Sequence, residues 1–271
     1  LAWRREKRPR PRKSLSGQAP SPQACWRSPP EHEPSQPTEE TLNHVAHLWT
    51  KGIAGLRGDR PRGGTLAANA SGQETSPKRK IVALNGSPRK GMTTSAALQV
   101  CLDAAKEESP GLETVLIELA DYSIPAQLAA GQPLKPGEVD DFPKLAEILG
   151  DPSVAALILG SPVYFGNMSA LTKACLDRCT VLRSAQFKLR NKIAAAVAVG
   201  SARNGGQELT IRSIQTALLG QDMIVVGDGQ PSGRIGATLW NQDDSIAGDS
   251  FGLETARNLG RRVAELAVRL G

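Results

Sequence analysis

Two short runs made only of apolar residues constrain the fold of this chain more than any other feature. Residues 154–159 read Val-Ala-Ala-Leu-Ile-Leu, and residues 193–199 read Ile-Ala-Ala-Ala-Val-Ala-Val. Because neither run alternates apolar with polar side chains, each predicts a strand that is buried on both faces. Such strands belong to parallel sheets covered by helices on either side, so we assign the chain to the α/β class.

Residues 80–271 continue this alternation of strand and helix around the two runs. Three further strands are predicted, at residues 80–84, 112–119 and 223–226. Helices are predicted at residues 93–106, 140–149, 169–182, 207–219 and 253–270, and loops rich in Gly, Pro or Asp at residues 122–137 and 227–252. The pattern predicts one domain with a doubly wound, five-stranded parallel sheet and helices on both faces, for which we adopt the common strand order 2-1-3-4-5. Sheets of this kind bind ligands at the carboxyl ends of their strands.

The loop after the first predicted strand has the composition of a phosphate-binding loop. This first loop, residues 86–94, reads Gly-Ser-Pro-Arg-Lys-Gly-Met-Thr-Thr and leads into a predicted helix. A helix N-terminus offers unpaired N–H groups and about half a positive charge, and hydroxyl groups add further donors. Ser and Thr are also favoured N-caps in any protein, so an ordinary capped helix start is the alternative.

Two common phosphate-binding motifs do not match the first loop. Gly86 and Gly91 are separated by four residues, as in the loop of nucleoside triphosphatases, and Thr93 stands at the Mg²⁺-binding position. However, Met92 occupies the place of the lysine that contacts the β- and γ-phosphates in those enzymes. The Gly-x-Gly-x-x-Gly pattern of dinucleotide-binding folds is absent from this loop as well. What remains is a hydroxyl-rich loop suited to a single terminal phosphate.

Two further polar loops follow the third and fourth predicted strands. The second loop, residues 160–168, reads Gly-Ser-Pro-Val-Tyr-Phe-Gly-Asn-Met, and the third loop, residues 200–207, reads Gly-Ser-Ala-Arg-Asn-Gly-Gly-Gln. In the predicted strand order, all three loops meet at one edge of the sheet. Tyr164 and Phe165, with the backbone N–H groups beside Gly166, suit a flat ring, although both aromatics would equally suit a core or an interface. A phosphate site beside a ring slot describes flavin mononucleotide (FMN).

Histidine is missing from the predicted domain, and this excludes several kinds of catalysis. His32, His44 and His47 all precede residue 80, so neither a Ser-His-Asp nor a Cys-His arrangement is available in its usual form. A catalytic zinc site is not expected for the same reason, and no metal site is predicted. Cys175 and Cys179, four residues apart on a predicted helix, are expected to be small buried residues. We therefore predict no catalytic side chain and expect a bound cofactor to carry the chemistry.

The first 79 residues differ sharply in composition from the rest of the chain. They carry 14 Lys and Arg against 7 Asp and Glu, a net charge of +7, whereas residues 80–271 carry 19 against 20. Ten of the 19 prolines also lie in this segment. Its composition predicts a disordered, basic, Pro-rich leader, residues 1–79, with no function of its own. Contact with nucleic acid or an anionic surface through residues 4–13, and an organelle transit peptide, are the alternatives.

Together the three loops resemble those of the flavodoxin-like NADPH-dependent FMN reductase family, in the branch that includes iron–sulfur flavoproteins. The resemblance covers residues 80 to about 270. It implies a flavodoxin-like fold, FMN as cofactor and NADPH or NADH as reductant. By this resemblance, five residues of the first loop hold the phosphate: Ser87, Arg89, Met92, Thr93 and Thr94. The isoalloxazine ring is bordered in the second loop by Pro162, Val163, Tyr164, Phe165, Gly166 and Asn167. Its far side is lined in the third loop by Ser201, Arg203 and Gly205.

One departure from this branch concerns the iron–sulfur centre. The iron–sulfur members carry a compact cysteine motif in the loop after the second strand, and a [4Fe–4S] cluster needs four thiolate ligands. In this chain, residues 124–131 of that loop read Ile-Pro-Ala-Gln-Leu-Ala-Ala-Gly, without cysteine. We therefore predict a protein that carries flavin and no cluster.

The resemblance implies an FMN-dependent NAD(P)H oxidoreductase. Hydride would pass from nicotinamide to the flavin and then to a quinone, a nitro- or azo-aromatic, free flavin or a protein acceptor. A flavodoxin-type electron carrier without nicotinamide turnover is the alternative, although such carriers are usually strongly acidic. A flavin-free phosphate-binding module is a third interpretation. The choice between NADH and NADPH is left open, because nothing in the spacing of Arg203 and Arg234 shows contact with a 2′-phosphate.

Assembly and location are predicted only in outline. No apolar stretch of the sequence reaches the roughly 20 residues that cross a bilayer. We expect a cytoplasmic protein without a membrane partner, and no nucleic-acid partner for the folded domain. The resemblance implies a homodimer or homotetramer with FMN near a subunit interface. Residues 227–252, which include Trp240, would cover the flavin, reach a neighbouring subunit or form irregular surface.

Overall fold

The structure, a computed structural model, describes residues 78–270. The strands are β1 (Lys80–Asn85), β2 (Glu113–Glu118), β3 (Val154–Pro162), β4 (Ile193–Gly200), β5 (Ile224–Val225) and β6 (Ala237–Trp240). The α-helices are α1 (Thr93–Glu108), α2 (Phe142–Gly150), α3 (Ala170–Arg178), α4 (Thr180–Ser184), α5 (Gln207–Leu219) and α6 (Ser250–Arg269). The predicted leader lies outside the described residues except for its last two, so its disorder and its boundary stay predictions.

The strands form one parallel sheet in the order β2-β1-β3-β4-β5, which confirms the predicted topology. Alternate residues of β1, β3 and β4 face two separate apolar cores. Helices α1 and α6 cover the core on one face, and α2, α3 and α5 cover the core on the other. Both apolar runs are buried on both faces because each face carries a layer of helices.

A sixth strand corrects the prediction that residues 227–252 form one long loop. Strand β6 pairs in parallel with residues 197–200 of β4, and β5 pairs with residues 193–194 of the same strand. The two short strands therefore share one edge of β4, with residues 226–236 between them. Four residues are too few to show a strand period in sequence, and the pairing with β4 supplies the extended conformation.

The structure also differs from the prediction in the bounds of some helices and strands. The predicted helix at residues 169–182 is two helices, because the N–H of Cys179 is shared between the carbonyl groups of Cys175 and Leu176 and the backbone tightens there. Strand β3 continues three residues beyond its predicted end, to Pro162, so part of the second loop belongs to the sheet. The predicted loop at residues 122–137 contains a 3₁₀ turn at Ala126–Ala130.

None of the α-helices within residues 78–270 combines the length and the apolar character that a membrane span requires.

Candidate cofactor site

The three predicted loops lie side by side at the carboxyl edge of the sheet. The first loop is attached to the second, because Gly86 N donates to Gly160 O at 2.8 Å. The second loop approaches the third so closely that a Cβ on Gly206 would lie 2.9 Å from the Cα of Gly166. These contacts make one continuous surface from loops that are up to 121 residues apart, between positions 86 and 207 in the sequence.

The first loop presents buried hydroxyl groups at an uncapped helix end. Ser87, Thr93 and Thr94 are buried, and the two threonines begin α1. Met92 occupies the N-cap position, makes no side-chain cap, and is followed by no acidic residue in the first turn of the helix. An ordinary capped helix start, the alternative interpretation of this loop, is therefore wrong. A helix end of this kind stabilises an anion, so the loop fits the phosphate of FMN.

Two residues that were not predicted as part of the site hold the first loop from behind. Asn85, at the end of β1, is fully buried, and its side-chain oxygen accepts from Ser87 N at 3.0 Å. Its amide nitrogen donates to a carboxylate oxygen of Glu118 at 2.6 Å. The other oxygen of Glu118 accepts from Ser95 Oγ at 2.7 Å and from Gly91 N at 3.3 Å. No sequence pattern connects Glu118 to this loop, because the sheet pairing alone places it beside Asn85.

The charged side chains of the first loop are engaged with carboxylates. Arg89 Nη2 lies 2.8 Å from Asp244 Oδ1 in the segment after β6, and this hydrogen bond raises the pKa of Arg89. Lys90 Nζ lies 2.6 Å from Asp121 Oδ2. Both pairs are about half exposed to solvent. The predicted contact of Arg89 with the phosphate stays a prediction, and one nitrogen of its guanidinium group is already bonded to Asp244.

The second loop ends in a tight turn that projects from the sheet. Tyr164 and Asn167 form two backbone hydrogen bonds with each other, at 2.8 and 3.0 Å. Phe165 and Gly166 between them have φ angles of 51° and 73°, as a two-residue hairpin turn requires. Phe165 is fully exposed and Tyr164 is 45% exposed, so neither is a core aromatic. Pro162 and Val163 lie below the turn and are half-buried.

The third loop is anchored to β6 and to the start of α6. Arg203 forms an ion pair with the buried carboxylate of Asp249, and its guanidinium carbon lies 5.9 Å from the Trp240 ring centroid. Trp240 Nε1 donates to Ser201 O at 3.2 Å, and Trp240 N donates to Asp249 Oδ2 at 2.7 Å. Gly205 N donates to the carbonyl of Ala202 within the loop. The segment around β6 thus supports the third loop, a role for which its sequence carries no signal.

A cleft of about 370 Å³ opens between the third loop and α6. Arg203 and Arg234 both line it, together with Leu209, Thr238 and Phe251. The guanidinium group of Arg234 lies 5.6 Å from the Phe251 ring centroid. Two arginines that are 31 residues apart in the sequence therefore face one cleft, and this juxtaposition could not be predicted from their spacing.

The cysteines of the described region do not converge on one point. Cys101 belongs to the core on one face of the sheet, and Cys175 and Cys179 belong to the core on the other face. Burial raises the pKa of Cys101 to about 12. A hydrogen bond with Cys179, together with burial, raises the pKa of Cys175. Within residues 78–270, no three His, Cys, Asp or Glu side chains are grouped closely enough to hold a metal ion.

Comparison with known proteins places the chain in a family. Residues 79–237 match the model of the NADPH-dependent FMN reductase family. The chain belongs to this family. The predicted cofactors, FMN and NAD(P)H, are those of the family, and the predicted flavodoxin-like fold is confirmed. The individual residues assigned to FMN stay predictions.

Several relatives of this chain are named as iron–sulfur flavoproteins. The iron–sulfur flavoprotein of Methanocaldococcus jannaschii is 42% identical over 189 residues, which cover 69% of this chain and 96% of the relative. That of Methanosarcina thermophila is 34% identical over 188 residues, covering 69% of this chain and 94% of the relative. A protein of Chromohalobacter salexigens named NAD(P)H dehydrogenase (quinone) is 32% identical over 179 residues, covering 59% of this chain and 84% of that protein.

Solved structures share the fold at much lower identity. RosB with a bound 8-demethyl-8-formylriboflavin-5′-phosphate has a TM-score of 0.55 and 19% identity, covering 71% of this chain and 80% of RosB. The NADH:FMN oxidoreductase EMOB in its apo form has a TM-score of 0.51 and 20% identity, covering 71% of this chain and 90% of EMOB. At these identities the likeness shows the fold alone.

Proposed function

We propose that this protein is an FMN-dependent NAD(P)H oxidoreductase. It would pass hydride from nicotinamide to the flavin and then to a quinone, a nitro- or azo-aromatic, free flavin or a protein acceptor. The observation that carries the proposal is the continuous edge formed by the three loops, with an uncapped helix end beside a turn that exposes two aromatic rings. That edge offers one end to a phosphate and the other to a flat ring.

Apart from the predicted contact with Arg89, the phosphate end of the site uses donors that carry no formal charge. The hydroxyl groups of Thr93 and Thr94 and the first N–H groups of α1 would donate to the phosphate oxygens. Ser87 already exchanges hydrogen bonds with the backbone of Arg89, at 3.1 and 3.2 Å, so its hydroxyl also shapes the loop. Met92, at the N-cap position of α1, would help to hold the phosphate without supplying a charge.

The ring end of the site uses backbone and aromatic surface. FMN, when bound, supplies the hydride-accepting and hydride-donating chemistry. The turn from Tyr164 to Asn167 would border the ring with backbone N–H groups, and Phe165 would shield the ring from water. No histidine lies in residues 80–271, so positioning and exclusion of water are the contributions that we assign to the protein.

The cleft beside the third loop is the place that we assign to the nicotinamide nucleotide. It adjoins Gly206, which touches the turn at Gly166, so a dinucleotide in the cleft could reach the ring end of the site. Arginine binds phosphate through paired N–H groups, and Arg203 and Arg234 both line the cleft. The relative named NAD(P)H dehydrogenase (quinone) supports a quinone as one acceptor.

We further propose that the protein works without an iron–sulfur cluster, unlike the relatives whose names include one. The loop after β2 lacks cysteine, and the cysteines of the described region are divided between two cores. A [4Fe–4S] cluster requires thiolates within reach of one another. Iron and sulfide analysis of anaerobically purified protein should find neither at stoichiometric amounts, and a stoichiometric cluster would refute the proposal.

A homodimer or homotetramer, and a cytoplasmic location, also belong to this proposal. The exposed rings of Tyr164 and Phe165 and the exposed Leu209 beside Gly166 support a partner subunit near the flavin. Light scattering after size exclusion should give a mass of two or four chains. A monomer at micromolar concentration would contradict the oligomer.

The function is tested with the full chain and added FMN. The purified protein should retain or take up FMN, shown by visible absorption, and should oxidise NADPH or NADH with a quinone or ferricyanide as acceptor. Thr94→Val, which removes one proposed donor at the phosphate end, should weaken FMN binding at least about fivefold. A flavin-loaded protein that turns over with neither nicotinamide would be the electron carrier instead, and a protein that takes up no FMN would refute both.

A further inference from the structure

Glu118 stands at the point where the first loop begins and where α1 starts. It is the last residue of β2, and the sheet register places it directly beside Asn85, the last residue of β1. One carboxylate oxygen accepts from Asn85, and the other accepts from Gly91 within the loop and from Ser95 in the first turn of α1. A single side chain therefore forms hydrogen bonds with the residue before the loop, with one residue inside it and with the residue after it.

We propose that Glu118 is a positioning residue that orders the phosphate loop before FMN binds. The inference rests on the proposed function, because it assigns the first loop to the FMN phosphate. Asn85 extends the same connection to Ser87, whose N–H donates to the Asn85 side chain at 3.0 Å. The loop is thus held by hydrogen bonds from behind, which leaves its opposite side for the ligand.

The same contacts decide which donors remain for the phosphate. Ser95 Oγ donates to Glu118 at 2.7 Å, and Gly91 N points to the same carboxylate at 3.3 Å. Both groups are therefore occupied, although Ser95 lies next to the two threonines at the helix end. Thr93 and Thr94 are the hydroxyl groups of this turn that we leave free for the phosphate.

The repulsion between the Glu118 carboxylate and a phosphate must be offset by a favourable effect on FMN binding. Like charges repel, so Glu118 opposes phosphate binding through its charge while it favours binding through order. A loop that is already ordered loses less conformational entropy when the ligand binds. Because hydrogen bonds to a charged group are stronger than those between neutral groups, the carboxylate is well suited to hold three donors at once.

The experiment compares FMN with riboflavin, which lacks the phosphate. Dissociation constants of both ligands are measured by flavin fluorescence on flavin-free full-length protein. Glu118→Ala should weaken FMN binding about tenfold and leave riboflavin binding within about twofold of wild type. Glu118→Gln, which keeps the shape but only one acceptor oxygen, should give an FMN affinity between those of wild type and Glu118→Ala.

Glu113→Ala is the matched control, because Glu113 is an exposed glutamate at the other end of β2, with Lys80 at 3.8 Å. It should alter neither affinity. Ser95→Ala removes one of the three donors and should weaken FMN binding about threefold without affecting riboflavin, which provides a second test if Glu118→Ala does not fold. Equal weakening of both ligands, or unchanged FMN affinity, would overturn the positioning role. A wild-type protein that binds riboflavin but not FMN would overturn the role too, and one that binds neither would instead overturn the proposed function itself.

Discussion

Arg89 and Asp244 form an ion pair of 2.8 Å that joins the first loop to the segment after β6, across 155 residues of sequence. The hydrogen bond from Arg89 lowers the pKa of Asp244, so the pair stays charged at neutral pH. Arg89 thus has a carboxylate partner at the place where we predict a phosphate. On this prediction, the two anions would compete for one guanidinium group.

Replacing Asp244 should therefore favour the phosphate. We expect Asp244→Asn to tighten FMN binding about two- to fivefold, a modest gain, because the ion pair that is removed is exposed to solvent and weak. Flavin fluorescence titration at low and high salt measures the effect, which should shrink as salt screens the charges. Asp243→Asn is the control, since Asp243 is a neighbouring exposed carboxylate in the same turn with φ of 49°. Equal effects of both variants would mean that net charge, and not the Arg89 pair, governs affinity.

The close approach of the second and third loops predicts that Gly206 tolerates no side chain. Gly206 has φ of 103°, and an added Cβ would lie 2.9 Å from the Cα of Gly166. We expect Gly206→Ala to lower the free energy of unfolding by about 3 kcal/mol and to weaken FMN binding, because strain and the backbone collision add. Chemical denaturation measures the stability. Gly233→Ala serves as the control, since Gly233 has φ of 64° but nothing near its missing Cβ, and should cost about 1 kcal/mol.

The cleft beside the third loop predicts a preference between the two nicotinamide coenzymes. Arg234 is exposed and lies against Phe251, and Arg203 is paired with the buried Asp249. Arg234 is therefore the guanidinium group better able to meet a 2′-phosphate. Arg234→Ala should raise the KM for NADPH about tenfold and leave that for NADH within about twofold. Arg212→Ala is the control, because Arg212 lies on the exposed face of α5, and it should change neither KM. If Arg234→Ala leaves the ratio of the KM for NADPH to the KM for NADH unchanged, Arg234 does not select the coenzyme.

The environment of Lys192 predicts that the free energy of unfolding depends on pH, through a group that is not part of the cofactor site. Its ammonium group donates to the carbonyl oxygens of Asp151 and Val154, at 2.5 and 2.9 Å, and burial lowers its pKa to about 8. Between pH 8 and about 10.4 the unfolded chain then binds more protons at Lys192 than the folded protein does, so stability gains from this group as pH rises.

The test compares the free energies of unfolding of wild type and Lys192→Met at several pH values. The free energy of unfolding of wild type minus that of the variant should increase by about 1–2 kcal/mol from pH 8 to pH 10. This is less than the whole lowering of the Lys192 pKa would give, because solvent reaches Lys192 from an adjoining cavity. Lys188→Met, from an exposed lysine that lines the same cavity, should show no comparable slope. A flat or falling difference for Lys192→Met would contradict the lowered pKa.

The fold was predictable from the sequence where the pattern was long or chemically unusual. The apolar runs in β3 and β4 predicted buried strands because a strand with helices on both faces has no polar side. Strand β6 could not be predicted, because its four residues carry no period. Helices α3 and α4 look like one helix in the sequence, because the tightened turn at Cys179 preserves the helical spacing of apolar residues.

The sequence by itself determined the buried strands, the three loops and, through the loop motifs, the family, because burial and loop composition are local properties that a pattern displays. Only the tertiary structure decided what stands around those loops. Glu118 behind the first loop, Asp244 beside Arg89, and Arg203 with Arg234 in one cleft all come from distant parts of the chain. The strand register and the placement of β6 decide which long charged side chains contact each other. Neither can be read from the local sequence.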